Sequence, residues 1–293
     1  SDDDHLTGRI RRYAKVSRSV GGLAAKLAGE RYLGMSVDRR RHAVDLRNAL
    51  GDLKGPLMKV AQLLSTIPDA LPPEYADELR HLQANAPSMG WLFVKRRMSR
   101  ELGSSWLERF HDFGREAVRA ASLGQVHLAT SKEGQKLACK LQYPDMASAV
   151  EADLRQLGLI FNIYRRYDSS IDPTEIQEEI SDRLREELDY EREARHIKMY
   201  KKILVDEIGV KVPAVEDRLS TSRLLTMTWL EGKPLVDFGV EPVSRRNQVA
   251  LNMFRAWYVP FYYYGVIHGD PHLGNYTVRQ DCRINLLDFG CVR

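Results

Sequence analysis

The 293-residue sequence has few cysteines and no long apolar run. Its three cysteines, Cys139, Cys282 and Cys291, form no Cys-x-x-Cys pair, so we expect reduced thiols in a cytosol-like compartment rather than disulfides or a zinc site. The first residues, SDDDHLTGRIRR, lack the apolar core of a secretory signal. No stretch reaches the roughly 18 apolar residues that a membrane-spanning helix needs, so we expect no such helix.

The sequence also lacks a strong excess of either charge. It has 44 Lys and Arg residues against 40 Asp and Glu residues, for a net charge of +4. This balance does not indicate a nucleic-acid partner, and we expect none. The apolar share of 43% is ordinary for a globular protein, and the length allows one large or two ordinary domains.

The N-terminal part has the most uneven charge. Apolar residues recur every three or four positions from Tyr13 to Leu27, which predicts an amphipathic helix over residues 9–33. Ten Lys or Arg residues lie between Arg9 and Arg41, against two acids. Such a helix could bind an anionic membrane surface. Alternatively, its apolar stripe could pack on the rest of the protein while the charges face solvent.

Secondary-structure signals predict an α+β fold in three regions. Residues 1–108 are predicted to be helical, and the last of these helices has Ser88 as a candidate N-cap. Residues 109–231 hold β-prone runs that predict a glycine-turned antiparallel sheet, with a polar turn at 131–134. Residues 232–293 begin a further helical region. Three more helices are predicted at about 145–167, at 172–204 as one long helix of about 30 residues, and at 244–264. The run RLLTMTWLEGKPL is predicted to form a strand that ends at Gly232.

The stretch VIHGDPHLGNYTVRQDCRINLLDFG places Asp270, Asn275 and Asp288 on predicted turns. An ordinary hairpin turn would explain each of these three residues if it were considered alone. However, protein kinases place a metal-binding Asn five residues after the catalytic Asp, and Asp270 and Asn275 have that spacing. Asp288 follows an apolar strand, where a carboxylate can hold magnesium. His268 and His272 do not lie four apart on a helix, so we interpret them as structural.

Other parts of a phosphoryl-transfer site occur in kinase order. Lys140 of LACK ends an apolar run, where it could reach nucleotide phosphates or be an ordinary edge-strand lysine that adds little stability. In AASLGQV, Gly124 and Val126 take the last glycine and the valine of a phosphate loop, or the segment is simply a tight hairpin. Glu186 and Glu193, seven apart, share one face of the predicted long helix, so one of them could pair with Lys140.

Together the motifs AASLGQVH, CKLQYP, ELDYEREA and HGDPHLGN make the chain similar to the UbiB/AarF family of atypical protein-kinase-like ATPases, from about residue 45 to the end. The resemblance implies a protein-kinase-like fold with an antiparallel-sheet N-lobe, an N-terminal helical extension and an incomplete helical C-lobe. The family element K-x-G-Q corresponds to KVAQ, with Lys59, Gln62 and Ala61 in place of glycine. In the family this helix folds over the nucleotide pocket and blocks protein substrates.

The resemblance also implies a role for each site residue. Lys140 and Glu193 would form the lysine–glutamate pair, Asp270 would be the catalytic aspartate, and Asn275 and Asp288 would bind the metal. The E-x-D element would face the helical extension. That element is Glu187 and Asp189. The nucleotide would lie against the alanine-rich loop, the LACK strand and an adenine hinge in MTWL. The residues implied there are Ala120, Ala121, Ser122, Gly124, Val126, Ala138, Lys140, Met227 and Leu230.

The function implied is that of a kinase-like ATPase that binds ATP or ADP with Mg²⁺ and supports ubiquinone synthesis at a membrane surface, without efficient protein-kinase activity. Its implied partners are the nucleotide, an anionic or quinone-pathway lipid and a quinone-biosynthesis protein complex. Its implied location is cytoplasmic and peripheral to a membrane. Two alternatives stay open: a small-molecule phosphotransferase of the aminoglycoside or choline kinase type, and a non-catalytic regulator that binds nucleotide or lipid.

Overall fold

The computed structural model describes Val44 and residues 89–121, 123–152, 154–155, 173–270 and 272–293. The predicted helix at 9–33, the KVAQ element with Lys59 and Gln62, and the loop residue Ser122 lie outside this part. The chain divides into two compact units, Ser1–Pro87 with Asp145–Leu184, and Ser88–Pro144 with Arg185–Arg293. The predicted regions 1–108, 109–231 and 232–293 stay predictions.

The described residues form both helices and antiparallel strands, which confirms the α+β class. The labelled helices are α1 (Trp91–Leu102), α2 (Pro173–Glu187), α3 (Tyr190–Ile203) and α4 (Val243–Tyr264). The strands are β1 (Phe110–Ala121), β2 (Gly124–Ser131), β3 (Lys136–Gln142), β4 (Val210–Lys211), β5 (Leu224–Thr228), β6 (Lys233–Pro234), β7 (Tyr276–Val278) and β8 (Ile284–Leu286). Residues 146–152 and 154–155 are also helical. No helix in the described part of the chain combines the length and apolar character needed to cross a bilayer.

The first sheet has the strand order β1-β2-β3-β5 and is antiparallel throughout, as the hairpin signals predict. Strand β3 therefore lies inside the sheet, and Lys140 is two residues short of its end. The interpretation of Lys140 as an edge-strand residue is wrong, because β2 and β5 pair with both sides of β3. In the register, Lys140 faces Val126 on β2 and Leu225 on β5.

Alternation along the strands gives this sheet two buried faces. One face joins a cluster with α1 that includes Leu137, Cys139 and Leu141. The other face, which carries Ala138, Leu225 and Met227, joins a cluster with α3 and α4. Because β3 is buried on both faces, its sequence has the short continuous apolar run LAC instead of a strict alternation.

The predicted long helix is wrong as a single element. Helix α2 ends at Glu187 and α3 begins at Tyr190. Between them, the Asp189 side chain accepts a hydrogen bond from the Arg192 backbone N–H at 2.8 Å, which makes Asp189 the N-cap of α3. The side chain of an aspartate can accept a backbone hydrogen bond that would otherwise be made within a continuous helix. The spacing of apolar residues does not reveal such a bond. The break also removes the shared helix face predicted for Glu186 and Glu193.

Three other element ends differ from the predictions or refine them. Helix α1 begins at Trp91, with Gly90 and not Ser88 in the N-cap position and no side-chain cap. The strand predicted to end at Gly232 already ends at Thr228, the last residue of β5, and β6 after Gly232 belongs to the second sheet. Helix α4 agrees with its prediction and ends at Tyr264, followed by the C-cap Gly265, whose φ of 65° suits glycine.

The second sheet has the order β4-β8-β7-β6, with β7 and β8 paired as an antiparallel hairpin. Asp270 and Asn275 precede β7, and Asp288 follows β8. This hairpin thus brings the two polar segments of the predicted site to the same end of the sheet.

Candidate functional site

Lys140 on β3 and Glu193 on α3 form a buried ion pair. The Lys140 Nζ donates to Glu193 Oε1 at 3.0 Å and to Oε2 at 2.9 Å. The two side chains are only 9% and 2% exposed. The predicted contact is therefore present, across 53 residues of sequence. Asp189, the N-cap of α3, lies four positions before Glu193. The start of the helix therefore places the Glu193 carboxylate on the side of α3 that faces Lys140.

Asp288 completes a group of three charges. Its Oδ2 lies 3.5 Å from Lys140 Nζ, and its side chain is 39% exposed. Its Oδ1 accepts a hydrogen bond from the Gly290 N–H at 3.0 Å, which holds the Asp-Phe-Gly turn. The Phe289 N–H points to Glu193 Oε1 at 3.5 Å. The turn after β8 therefore contacts both members of the buried pair.

The charges in this group depend on one another. Burial would lower the pKa of Lys140, but Asp288 and Glu193 outweigh it and raise that pKa well above its ordinary value. Burial raises the pKa of Glu193 to about 7, against the opposing effect of Lys140. Lys140 is thus held as a cation, and Glu193 tolerates its burial only with that cation beside it.

Tyr190 is a site residue that the sequence reasoning missed. Its ring centre lies 5.2 Å from Lys140 Nζ, and the residue is 1% exposed. Burial raises its pKa, so the phenol stays neutral. Its position in ELDYEREA, directly after Asp189, was the available signal. A tyrosine face beneath an ammonium adds an attraction that no pairing of acids with bases would have suggested.

The alanine-rich loop is the tip of the β1–β2 hairpin. Ala120 pairs with Gln125 and Ala121 with Gly124. A Cβ on Gly124 would meet the Leu141 carbonyl oxygen at 2.4 Å and the Tyr190 hydroxyl at 2.9 Å. Gly124 is therefore required by close packing inside the domain, whether or not phosphate also approaches it.

The apolar residues predicted to contact the nucleotide share the Lys140 face of the sheet. Val126 is opposite Lys140, and Ala138 is opposite Met227. Ala138 and Met227 are buried and Val126 packs against the same cluster. Leu230 is half-buried beyond the end of β5. An apolar surface therefore lies next to the ammonium.

The segment before β7 holds the other two polar candidates. Asp270 Oδ1 accepts from the His272 N–H at 3.2 Å, and Asn275 Nδ2 donates to the Asp270 carbonyl at 3.3 Å. The Leu287 N–H donates to the Asn275 carbonyl at 3.0 Å, which ties this segment to the residue before Asp288. Since the Asn275 amide nitrogen is used in this way, its oxygen is the atom suited to a cation.

The two histidines of this stretch have structural contacts. His268 is buried, and its Nε2 lies 2.6 Å from the Asp288 carbonyl oxygen, which can only accept. His272 Nδ1 accepts from the Gly274 N–H at 3.0 Å in an exposed turn. The interpretation of both histidines as structural stays a prediction.

Among the described residues, no three His, Cys, Asp or Glu side chains gather as a metal cluster. The predicted ligands are one carboxylate, Asp288, and one amide, Asn275. Magnesium usually takes one or two carboxylates and completes its shell with phosphates and water. The residues present therefore fit magnesium that arrives with a nucleotide, and fit a tightly held all-protein calcium site poorly.

The predicted E-x-D residues lie at the junction of α2 and α3. Glu187 is half-buried at the end of α2, and Asp189 caps α3 with its Oδ2 4.0 Å from Arg195. Glu186 was predicted to share a helix face with Glu193. It pairs instead with Arg192 at 3.0 Å and with Arg293 at 3.3 Å. Contact between the E-x-D pair and Lys59 or Gln62 stays a prediction.

Comparisons with known proteins identify the family of the chain. Residues 81–293 match the sequence model of the ABC1 atypical kinase-like domain. The chain is 31% identical over 288 residues to the chloroplastic protein Activity of BC1 complex kinase 3 of Arabidopsis thaliana, covering 96% of this chain and 40% of that protein. It is 29% identical over 287 residues to the mitochondrial atypical kinase coq-8 of Caenorhabditis elegans, covering 96% of this chain and 38% of that protein.

A solved structure is also similar. The complex of Rv3197 with erythromycin from Mycobacterium tuberculosis matches with a TM-score of 0.65 and 31% identity, over 86% of this chain and 65% of that one. The present chain spans about two fifths of the length of the two curated relatives. These findings confirm the kinase-like fold and the resemblance to UbiB/AarF proteins. The chain belongs to the ABC1 family of atypical kinase-like proteins.

Proposed function

We propose that the chain binds ATP or ADP with magnesium at the Lys140 site and acts as an atypical kinase-like ATPase. The observation that carries this proposal is the buried Lys140 ammonium, 2.9 Å from Glu193 and 3.5 Å from Asp288. A buried charge group is weak evidence for stability alone, and such groups concentrate at functional sites. A fixed ammonium beside an apolar sheet face suits the phosphates and base of a nucleotide.

Each residue has one task in this proposal. Lys140, oriented by Glu193, binds the α and β phosphates. Asp288 and Asn275 hold magnesium, which when bound neutralises charge on the transferring phosphate. Asp270 lies at the acceptor of that phosphate. The hairpin tip covers the phosphates, while Val126, Ala138, Met227 and Leu230 contact the base.

The finer function proposed is support of ubiquinone synthesis by a cytoplasmic protein that lies peripheral to a membrane. The motif resemblance supports the link to ubiquinone, and the three cysteines without a Cys-x-x-Cys pair support the cytoplasmic location. The proposed partners are an anionic or quinone-pathway lipid, for which the basic segment 9–33 is the candidate contact, and a quinone-biosynthesis complex.

The KVAQ element adds a proposal about specificity. Lys59 and Gln62 would lie over the pocket, with the E-x-D residues Glu187 and Asp189 facing their helix. A second lysine there would attract the γ-phosphate, and the helical extension would occupy the space that a peptide needs. Efficient phosphorylation of other proteins is therefore not expected.

The test is magnesium-dependent ATP turnover by the intact chain, with and without detergent-solubilised lipid. Turnover that lipid increases and Asp288→Asn abolishes is the expected result. Asp281→Asn is the matched control, because Asp281 lies in the same β7–β8 hairpin and pairs with Arg283. Equal turnover in Asp288→Asn and the parent chain would contradict the proposal.

A second candidate is phosphotransfer to a small molecule. The related Rv3197 structure is a complex with erythromycin, which motivates a hydroxyl-bearing ligand of that class. Mass spectrometry after incubation with ATP and erythromycin would detect the added phosphate. Its absence, together with lipid-stimulated turnover, would favour the first candidate.

A further inference from the structure

Strand β2 carries two completely buried polar side chains on the face opposite Lys140. Gln125 and His127 are each 0% exposed, and they alternate with Val126, which shares the Lys140 face. The His127 ring stacks on Phe113, with ring centres 5.5 Å apart. Buried amides and imidazoles are strongly unfavourable unless each polar atom has a partner, so their hydrogen bonds have to be traced atom by atom.

The Gln125 side chain binds both polar groups of one backbone residue. Its Oε1 accepts from the Met89 N–H at 2.7 Å, and its Nε2 donates to the Met89 carbonyl at 3.2 Å. The second hydrogen on Nε2 points to His127 Nε2 at 2.8 Å. The other ring nitrogen, Nδ1, lies 2.8 Å from the Gly114 carbonyl oxygen. Every polar atom of the two side chains therefore has a partner.

These partners allow only one protonation state of His127. The Gly114 carbonyl can only accept, so Nδ1 carries a hydrogen. The Gln125 amide nitrogen can only donate, so Nε2 of His127 has to accept. A hydrogen on both ring nitrogens would face two donors toward each other at 2.8 Å. The Gln125 amide would then have to rotate by about half a turn. Its NH₂ group would face the Met89 N–H, and its oxygen would face the Met89 carbonyl oxygen.

The pair connects the hairpin tip to α1. Gln125 directly follows Gly124, and its backbone pairs with Ala120. Met89 lies two residues before the start of α1, whose residues Val94 and Met98 are fully buried. By contrast, β1 is irregular toward the tip, with register shifts on both sides of Ala117. The Gln125 side chain thus joins the base of the hairpin tip to the residue that leads into α1.

We propose that Gln125 is a positioning residue for the hairpin tip at Ala120, Ala121 and Gly124, and that neutral His127 holds its amide in the orientation that binds Met89. This inference rests on the proposed function only where it concerns nucleotide, because the same loop is proposed to cover the phosphates. Loss of the Gln125 contacts releases the loop root without removing any residue that would touch nucleotide.

The proposal includes a direction of pH dependence. Burial lowers the pKa of His127 from 6.5, so the folded chain resists its protonation. An unfolded chain takes up the proton near 6.5, so the stabilisation is complete above that pH and is lost as the pH falls toward the folded pKa. The titratable neighbours leave this sign unchanged. Cys139, opposite His127 on β3, is a thiol because burial raises its pKa to about 12, and the α1 residue Arg97 is engaged with the carbonyls of Gln142 and Tyr143.

The central variant is Gln125→Glu in the intact chain. The carboxylate keeps the shape and can accept from the Met89 N–H, but it cannot donate to Met89 or to His127. It would accept from a protonated His127 instead, so the His127 pKa should rise. The matched control is Gln135→Glu, which adds the same charge at an exposed position in the β2–β3 turn. Gln125→Met keeps the volume without a charge and serves as the second variant if Gln125→Glu does not fold.

Two readouts need no nucleotide. Imidazole ¹⁵N spectra of the parent chain should show His127 neutral with hydrogen on Nδ1 at about pH 7, and cationic in Gln125→Glu. Hydrogen exchange at Met89 and at Ala120 and Ala121 should be about tenfold faster in Gln125→Glu and Gln125→Met than in the Gln135→Glu control. An Nε2–H tautomer in the parent chain, or unchanged exchange at Ala120 and Ala121, would overturn the proposal.

The third readout is the affinity for magnesium-ATP. We expect it to fall about tenfold in both Gln125 variants, which corresponds to about 1.4 kcal/mol, and to stay unchanged in Gln135→Glu. Faster loop exchange with unchanged affinity would overturn the positioning role. If the parent chain binds no nucleotide, the proposed function fails, and the role of Gln125 in holding the loop is still decided by the exchange and tautomer results.

Discussion

Lys140 and Glu193 form an ion pair that is almost fully buried, with Nζ and Oε2 2.9 Å apart. The pair joins the middle of the first sheet to the first turn of α3. The Asp-Phe-Gly turn contacts this pair as well, because Asp288 Oδ2 lies 3.5 Å from the Lys140 ammonium. Because the sheet, the helix and the turn all meet at this pair, removal of one partner leaves an uncompensated charge at the junction of all three.

Replacing Lys140 should therefore destabilise the protein. Lys140→Ala leaves the Glu193 carboxylate buried without its cation, and loss of one partner of a buried pair typically lowers the free energy of unfolding by about 3–5 kcal/mol. This corrects the expectation from the sequence that the fold would be unaffected, which assumed an edge-strand lysine. Denaturant unfolding measures the change.

Lys136→Ala is the matched control for that measurement. Lys136 starts the same strand and pairs with Glu231, but the two side chains are 57% and 68% exposed. Solvent screens such a pair, so its removal should change stability far less than Lys140→Ala does. Equal losses in the two variants would contradict the buried-pair account.

Gly124→Ala should destabilise the chain before any ligand is added. The new methyl group would meet the Leu141 carbonyl oxygen at 2.4 Å, and backbone cannot yield as a flexible side chain does. Overpacking of this kind typically reduces stability by about 1–3 kcal/mol. In Gly239→Ala no heavy atom lies within 4 Å of the added methyl, so thermal unfolding of that control should stay close to the parent chain. A normal melting temperature for Gly124→Ala would show that the hairpin can shift.

Asp189→Ala tests the break between α2 and α3. Loss of the hydrogen bond to the Arg192 N–H should lower stability by about 1 kcal/mol, the usual value for an N-cap. Asp189→Asn retains an acceptor oxygen and should recover most of the loss. Equal destabilisation by Ala and Asn, measured by denaturant unfolding, would show that Asp189 acts through its charge and not as a cap.

The basic segment predicts binding to anionic vesicles. Residues 9–33 hold most of the ten basic residues counted between Arg9 and Arg41, which anionic lipid should attract. The measurement is co-sedimentation of the intact chain with phosphatidylserine vesicles, compared with a chain that starts at Ser36. Equal sedimentation of both would show that the apolar stripe packs on the protein instead.

The sequence predicted contacts that depend on motif chemistry and missed those that depend on packing. The spacing left both Glu186 and Glu193 as possible partners of Lys140, and the resemblance to UbiB/AarF proteins selected Glu193. The roles of Tyr190 and Gln125 could not be predicted. A contact between a ring and an ammonium, or between a side-chain amide and a backbone, requires no characteristic residue spacing. The end of α2 was missed for a related reason. The apolar periodicity continues through Leu188. The break between α2 and α3 depends instead on one hydrogen bond that the Asp189 side chain accepts from the Arg192 N–H.

The central claim is that Asp288 and Lys140 belong to a magnesium–nucleotide site. Its most direct test is the thermal shift that ATP produces in the intact chain with and without Mg²⁺, compared between the parent chain and Asp288→Asn. The account predicts a magnesium-dependent rise in melting temperature for the parent chain, no such rise for Asp288→Asn, and a full rise for the Asp281→Asn control. The same magnesium-dependent rise in Asp288→Asn as in the parent chain would contradict it.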